Sequence, residues 1–181
     1  MGKKVLILSA SPHKKGNSDL LCDEFLRGAQ ESGNDVTKIF LREKKIGYCV
    51  ACNFCKKDGN CGPCAIKDDM AEVLQKMHEA DAIVLASPVY FYGINAQMKT
   101  LLDRTYASWM DMKGKELYYI LTCADDSNEC IDAALAGFNG WEVCLPDPVR
   151  KGVIYGKGNL AAGDVKGKPV MQEAFETGKA V

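Results

Sequence analysis

Five of the nine cysteines in this 181-residue chain fall within one short segment. They form the pattern Cys49-x2-Cys52-x2-Cys55-x5-Cys61, and a fifth cysteine, Cys64, follows soon after. Thiolates two residues apart can bind neighbouring irons of one cubane, and a fourth thiolate after a short loop can complete the ligand set. The spacing is therefore chemically compatible with a 4Fe-4S cluster, for which either Cys61 or Cys64 could supply the fourth thiolate.

Two other interpretations of the same segment stay open. Cys49-x2-Cys52 and Cys61-x2-Cys64 are two pairs of the zinc-ribbon kind, although their separation is shorter than usual for such a site. Free or disulfide-forming thiols are the third interpretation, but such crowding in a reducing compartment favours a metal or redox site over structural disulfides. The remaining cysteines are expected in or near the core, as buried cysteines usually are. They are Cys22, Cys123, Cys130 and Cys144.

A second candidate site is the polar segment 9–18, Ser-Ala-Ser-Pro-His-Lys-Lys-Gly-Asn-Ser, which follows a short apolar run. Its hydroxyls, its amide and the main-chain N–H groups at the start of a helix can surround a phosphate. The segment lacks the Gly-x4-Gly-Lys-Ser/Thr pattern of nucleotide triphosphatases, and the chain has no Gly-x-Gly-x-x-Gly fingerprint. The alternative is an ordinary turn with a helix cap, in which His13 is exposed and does not neutralise a phosphate.

An aromatic segment, Ser87-Pro88-Val89-Tyr90-Phe91-Tyr92-Gly93, follows another apolar run. The proline restricts the backbone, the aromatic side chains offer stacking faces, and nearby N–H groups can bond to ring nitrogens and carbonyl oxygens. This composition suits a flat heteroaromatic ligand. The alternative is that the aromatic side chains, above all Tyr92, pack beneath the loop as core.

Both segments follow strands of a predicted parallel sheet. Short apolar runs alternate with stretches whose apolar residues recur at helical spacing, which is typical of strands covered by helices on both faces. The strands are expected at 5–8, 36–41, 82–86, 117–121, and either 143–145 or 153–155. The sequence thus predicts a three-layer α/β/α, flavodoxin-like fold with a five-stranded parallel sheet in the order 2-1-3-4-5, whose ligands bind at the carboxyl ends of the strands. One domain is expected over 1–181, with the cysteine-rich loop at about 46–66.

Composition excludes several classes of protein. Hydrophobic residues make up 47% and charged residues 26% of the chain, and 23 basic against 24 acidic side chains leave a net charge of -1. These values exclude a disordered or collagen-like chain and give no support to a nucleic-acid-binding face. No apolar run approaches the ~20 residues of a membrane span, and the run after Lys4 is too short for a signal peptide. We therefore expect a cytoplasmic protein that has neither a membrane nor a nucleic acid as partner.

Together the polar and aromatic segments resemble the NADPH-dependent FMN reductase branch of the flavodoxin-like flavoproteins. The matching residues are Ser9-x-Ser11-Pro12-x3-Gly16-Asn17-Ser18, Ser87-Pro88-Val89-Tyr90-Phe91, Lys99 and Asp103-Arg104. The resemblance runs from residue 3 to about residue 179. It implies a bound FMN whose phosphate lies in the polar segment, whose isoalloxazine lies against the aromatic segment, and whose other side faces the end of the fourth strand. The implied FMN-binding residues are Ser9, Ser11, His13, Gly16, Asn17, Ser18, Pro88, Val89, Tyr90, Phe91, Thr122 and Cys123.

The cysteine pattern resembles the compact motif of the iron-sulfur flavoproteins, members of the same branch that hold a four-iron cluster. This resemblance implies an FMN-dependent oxidoreductase that takes electrons from NAD(P)H or a reduced carrier such as ferredoxin and passes them to a small acceptor or a partner protein. We expect no catalytic side chain, because hydride transfer requires no protein acid or base. A homodimer or tetramer is also expected, since the flavin lies at the surface and the cysteine loop is long enough to reach a neighbour. The alternatives are a flavin-binding electron carrier or sensor without a cluster, and a zinc-stabilised interaction module.

Overall fold

A computed structural model describes residues 2–57 and 62–181 of the chain, so Cys61 lies outside the described residues. The strands are β1 (Lys4–Ser9), β2 (Asp35–Phe40), β3 (Ala82–Tyr90), β4 (Gly93–Ile94), β5 (Glu116–Thr122) and β6 (Val149–Gly156). The helices are α1 (Asn17–Glu31), α2 (Met70–Glu79), α3 (Ala96–Arg104), α4 (Asn128–Glu142) and α5 (Pro169–Lys179). Strands and helices alternate along most of the chain, as the apolar pattern predicts.

Five of the strands form a parallel sheet in the order β2-β1-β3-β5-β6. This arrangement confirms the predicted flavodoxin-like order. The additional strand, β4, is two residues long and pairs antiparallel with the end of β3. Of the two candidates for the last parallel strand, 153–155 lies within β6. The other candidate, 143–145, is not a strand, because α4 continues past Gly140 to Glu142 and this segment forms the turn that follows it.

Helices cover both faces of the sheet, and the side chains of β1 show why. Val5 and Ile7 pack with α1 and α5 on one face, whereas Leu6 and Leu8 pack with α2, α3 and α4 on the other. Successive side chains of a strand point to opposite faces, so a continuous apolar run requires cover on both. No helix in the described part of the chain is long and apolar enough to cross a membrane.

The carboxyl ends of β1, β3 and β5 bring three loops to one edge of the sheet. Ser9 at the end of β1 is level with Ala86 of β3, and Pro88 of β3 is level with Thr122 of β5. The first loop continues this pairing, since Ala10 N donates to Ala86 O at 2.8 Å. The polar segment, the aromatic segment and the segment after β5 are therefore neighbours, as expected for a ligand site in a sheet of this order.

Candidate functional site

The loop between β1 and α1 folds tightly around one serine. The Ser11 hydroxyl donates to His13 O at 2.8 Å, and His13 N donates back to the same hydroxyl at 3.3 Å. Gly16 closes the loop in an extended conformation, where a Cβ would lie 2.8 Å from Ser11 Oγ and 3.0 Å from His13 O. Only glycine therefore lets the chain approach itself this closely before α1 begins.

The first turn of α1 is left available to a ligand. Among the described residues, no side chain caps this helix. The first N–H groups of a helix have no acceptor within the helix, and together with the helix dipole they favour a bound anion. A compact loop that ends at an uncapped helix is therefore suited to hold a phosphate through main-chain groups.

Besides Ser11, two further polar side chains of this loop bond to other parts of the protein. The buried Ser9 hydroxyl donates to the Asp19 carboxylate at 3.2 Å. The Asn17 amide donates to Ala161 O at 2.9 Å and accepts from Gly163 N at 2.9 Å, which fastens the segment after β6 to the start of α1. Ser11 and Ser18 are buried, and His13 is exposed. The structure thus keeps the polar segment together in one loop, but the side chains of Ser9, Ser11 and Asn17 all make hydrogen bonds within the protein.

The aromatic segment is a strained hairpin whose rings face solvent. Phe91 and Tyr92 join β3 to β4 with φ of 50° and 62°, the left-handed region that non-glycine residues occupy at a cost of about 1–3 kcal/mol. Phe91 is fully exposed, at 104%, and Tyr90 and Tyr92 are about half exposed. The interpretation of these rings as core is wrong, because the two-residue turn projects them away from the sheet. An exposed aromatic surface held in a strained turn is typical of a ligand-binding loop.

Asn95 connects the aromatic hairpin to the loop between β1 and α1. The sequence pattern did not predict this role. Its side chain caps α3 by accepting from Met98 N at 3.0 Å and donates to Ala10 O at 2.6 Å. Its main-chain N–H donates to the Ser87 hydroxyl at 3.0 Å. An asparagine just before an apolar helical stretch is a cap signal in the sequence, but its bond to Ala10 is visible only in the structure.

The segment after β5 forms the third side of the edge. Thr122 and Cys123 are buried there, and the Cys123 thiol donates to Asp125 O at 3.0 Å. Burial, together with a hydrogen bond to Cys130, raises the pKa of Cys123 to about 12, so the thiol stays neutral. Tyr92 from the hairpin donates to the Asp125 carboxylate at 3.5 Å. These contacts join the aromatic segment to the predicted far side of the site.

Two cysteines of the cysteine-rich segment line different cavities. Cys49 lines a cavity of about 770 Å³ with Trp109 and Cys144, whereas Cys64 lines another of about 710 Å³ with His78. In the ranges 2–57 and 62–181, no three His, Cys, Asp or Glu side chains lie together as a metal site would require. Cys22, Cys123 and Cys130 are buried as predicted. Cys144 is not, because the turn after α4 carries it to the surface.

A buried ion pair joins the two ends of this segment. Arg104, only 2% exposed at the end of α3, donates to both oxygens of Asp68 at 2.7 and 3.0 Å and to Gly47 O at 2.7 Å. Asp68 also accepts from Gly47 N at 2.9 Å and from Met70 N at 3.1 Å. Burial alone would raise the pKa of Asp68, but these hydrogen bonds hold it below its ordinary value. The cysteine segment therefore projects from a rigid base, which we call the Arg104–Asp68 clamp.

Comparison with known proteins finds relatives for this arrangement. The family described as NADPH-dependent FMN reductase matches residues 3–130, which are 128 of the 181 residues. An iron-sulfur flavoprotein of Methanocaldococcus jannaschii is 46% identical over 102 residues, 56% of this chain and 51% of the relative. One from Archaeoglobus fulgidus is 40% identical over 114 residues, 62% of this chain and 50% of the relative. The chain thus spans about half the length of these curated relatives.

Solved structures share the fold over nearly the whole chain. An NAD(P)H:quinone oxidoreductase from Methanothermobacter marburgensis superimposes with a TM-score of 0.74 at 16% identity, covering 99% of this chain and 96% of that one. A flavone reductase gives a TM-score of 0.74 at 18% identity, covering 97% of this chain and 60% of that one. At these identities the likeness concerns the fold, which is that of flavodoxin-like FMN reductases.

Proposed function

The chain belongs to the NADPH-dependent FMN reductase family, and from this premise we propose that it is an FMN-dependent oxidoreductase. The observation that carries the proposal is the shared edge of the sheet, where a compact loop and an uncapped helix adjoin an exposed, strained aromatic hairpin. Asn95 fastens the two together. A phosphate site beside a flat aromatic surface is the combination that FMN requires.

The chemistry of several residues at this edge supports FMN binding. A phosphate could bind the uncapped N–H groups of α1, next to Gly16, which has no side chain to obstruct the loop. Ser11 and Ser18 lie in the same segment. Pro88 to Phe91 would line the isoalloxazine, and Thr122 with Cys123 would adjoin its other side. Bound FMN would provide a group that can accept two electrons as a hydride and release them one at a time. The chain's own part is to bind and orient, and no side chain needs to move a proton.

We propose further that the cysteine segment holds a 4Fe-4S cluster. Its ligands would be Cys49, Cys52, Cys55 and either Cys61 or Cys64, a donor set whose chemistry suits iron. Two of the similar proteins are named iron-sulfur flavoproteins, which supports this choice over zinc or free thiols. When bound, such a cluster would pass electrons singly between the flavin and an acceptor. The chain's own residues contribute a fixed base for the loop, through the Arg104–Asp68 clamp.

Analysis of anaerobically purified protein tests both proposals. We expect about one FMN per chain, with about four irons and four sulfides. Zinc without iron would favour the interaction module, and flavin without metal would favour a cluster-free carrier or reductase. A colourless chain that fails to take up added FMN would contradict the proposed function. Cys61→Ser and Cys64→Ser identify the fourth ligand by loss of iron, with Cys144→Ser, an exposed cysteine outside the segment, as the matched control.

The electron donor and acceptor follow from activity measurements. We propose NAD(P)H or a reduced carrier such as ferredoxin as donor, and a small molecule or a redox protein as acceptor. Oxidation of NADPH and NADH is followed with quinone, nitro and azo acceptors and compared with reduction by ferredoxin. Turnover with any of these pairs supports an enzyme, whereas a flavin that is reduced once without turnover supports a carrier or sensor.

We also propose a homodimer or tetramer in which a second subunit covers the flavin edge. The fully exposed Phe91 and the exposed apolar side chains Tyr48 and Val50 of the cysteine segment support this assembly, since surface aromatic clusters favour protein contacts. Light scattering of the wild-type protein and of Phe91→Ser measures the oligomeric state. A wild-type monomer would contradict the proposal.

A further inference from the structure

A charged network lies directly beneath the loop proposed to hold the FMN phosphate. Asp19, in the first turn of α1, is 6% exposed. Its carboxylate accepts from Ser9 Oγ at 3.2 Å and from Lys15 N at 2.9 Å. Lys15 has a φ of 58°, so the bond from its N–H holds a left-handed turn that a non-glycine residue adopts at a cost. Asp19 therefore organises both ends of the loop.

Asp19 alone would conflict with a phosphate ligand. A carboxylate in the first turn of a helix is stabilised by the helix dipole, but its negative charge repels a dianion bound at the same end of the helix. Like charges in a partly desolvated site repel more strongly than in water. A loop shaped by Asp19 thus needs a cation nearby if it is to bind a phosphate well.

Lys38 of β2 supplies this cation. Its ammonium lies 2.5 Å from Asp19 Oδ1 and 2.6 Å from Asp23 Oδ1, and it also donates to Asp19 O at 3.3 Å. The Lys38 side chain is 16% exposed, so solvent screens this contact only weakly. Burial alone would lower the pKa of Lys38, but the bonds to both carboxylates raise it, and the amine stays charged.

We infer that Lys38 is a positioning residue for FMN: it neutralises Asp19, so that Asp19 can shape the loop without repelling the phosphate. The inference rests on the proposed function, and it makes Lys38 act through Asp19, without contact to the ligand. Its consequence is specific to the phosphate. Riboflavin has the same ring system and lacks the phosphate, so its binding should not depend on the charge of Lys38.

The test compares FMN and riboflavin binding to the full chain, freed of flavin under anaerobic conditions, by quenching of flavin fluorescence. We expect Lys38→Met to raise the dissociation constant of FMN by about tenfold, as one uncompensated charge near the site would, and that of riboflavin by less than about twofold. Lys38→Arg should keep both constants near wild type. Asp19→Asn/Lys38→Met, which buries no unpaired charge, should restore the ratio of the two constants to within about threefold of wild type.

Other outcomes overturn the inference. If Lys38→Met raises the dissociation constants of FMN and riboflavin by the same factor, or changes neither constant, Lys38 has no phosphate-specific role. Should Lys38→Met fail to fold, the double variant decides alone, because an FMN-to-riboflavin ratio far from wild type would refute neutralisation. Wild-type protein that binds riboflavin and FMN equally well refutes the inference but not flavin binding. Wild-type protein that binds neither refutes the proposed function itself.

Discussion

Removal of the Arg104 charge should loosen the base of the cysteine segment. In Arg104→Met, Asp68 loses two charge-assisted hydrogen bonds and Gly47 O loses one, at 2.7, 3.0 and 2.7 Å. Breaking a buried pair destabilises by about 3–5 kcal/mol, and Asp68 keeps its bonds from Gly47 N and Met70 N, so we expect the lower end, about 3 kcal/mol. Urea unfolding followed by circular dichroism measures this loss.

The control lies on the same helix. Lys99 and Asp103 form an exposed i,i+4 pair at 2.5 Å, and Lys99→Met should change the unfolding free energy by less than about 0.5 kcal/mol. Because the clamp holds the segment 47–68, Arg104→Met should also lower the iron content of purified protein, whereas Lys99→Met should not. A loss below about 1 kcal/mol in Arg104→Met, or equal losses in the two variants, would refute the account of the clamp.

Three further predictions concern other parts of the fold. The ionised form of Asp68 stabilises the protein above the pKa of an unfolded aspartate, about 3.9, and this contribution is lost as pH falls through the lower folded-state pKa. Urea midpoints from pH 3 to 7 should therefore fall less steeply on acidification in Asp68→Asn than in wild type, and equal slopes would contradict this. Gly28→Ala would drive a Cβ into the Phe175 carbonyl oxygen between α1 and α5, and should lower the unfolding free energy by about 2–3 kcal/mol. Gly140→Ala has open space around the new Cβ and should not destabilise the protein. Similar shifts in melting temperature for the two variants would argue against tight packing at Gly28. Phe91→Gly removes a side chain at a φ of 50° and should raise the unfolding free energy by up to about 1 kcal/mol while weakening FMN binding; retained affinity would show that the ring does not contact the flavin.

Hydrophobic patterning predicted most of the fold because the parallel strands are covered on both faces. Continuous apolar runs such as 5–8 and 117–121 are typical of such buried strands, and the helices between them connect successive parallel strands. β4 escaped prediction because it is two residues long and follows a turn of Phe91 and Tyr92, which carry none of the glycine or asparagine signals of such turns. The order of the sheet follows from many residues, whereas this hairpin depends on two.

The site was predictable in position but not in detail. The predicted ends of the strands were enough to locate the polar and aromatic segments at one edge of the sheet. They could not reveal that the Asn95 side chain donates a hydrogen bond to Ala10 O, which is far away in sequence. The Asn17 amide could be expected at a phosphate, but the segment after β6 occupies it. Such pairings depend on packing between distant elements, which local spacing does not encode. The role of Lys38 was invisible for the same reason, since its partner Asp19 lies on a different element.

Titration of isotope-labelled, cluster-free protein with FMN, followed through main-chain amide chemical shifts, tests most directly where a flavin binds. We expect the largest shifts at 11–18 and 88–93, with smaller ones at 122–125, because these segments share one edge of the sheet. Saturation without shifts at the polar and aromatic segments, or shifts confined to the cavities beside Trp109 and His78, would contradict the account.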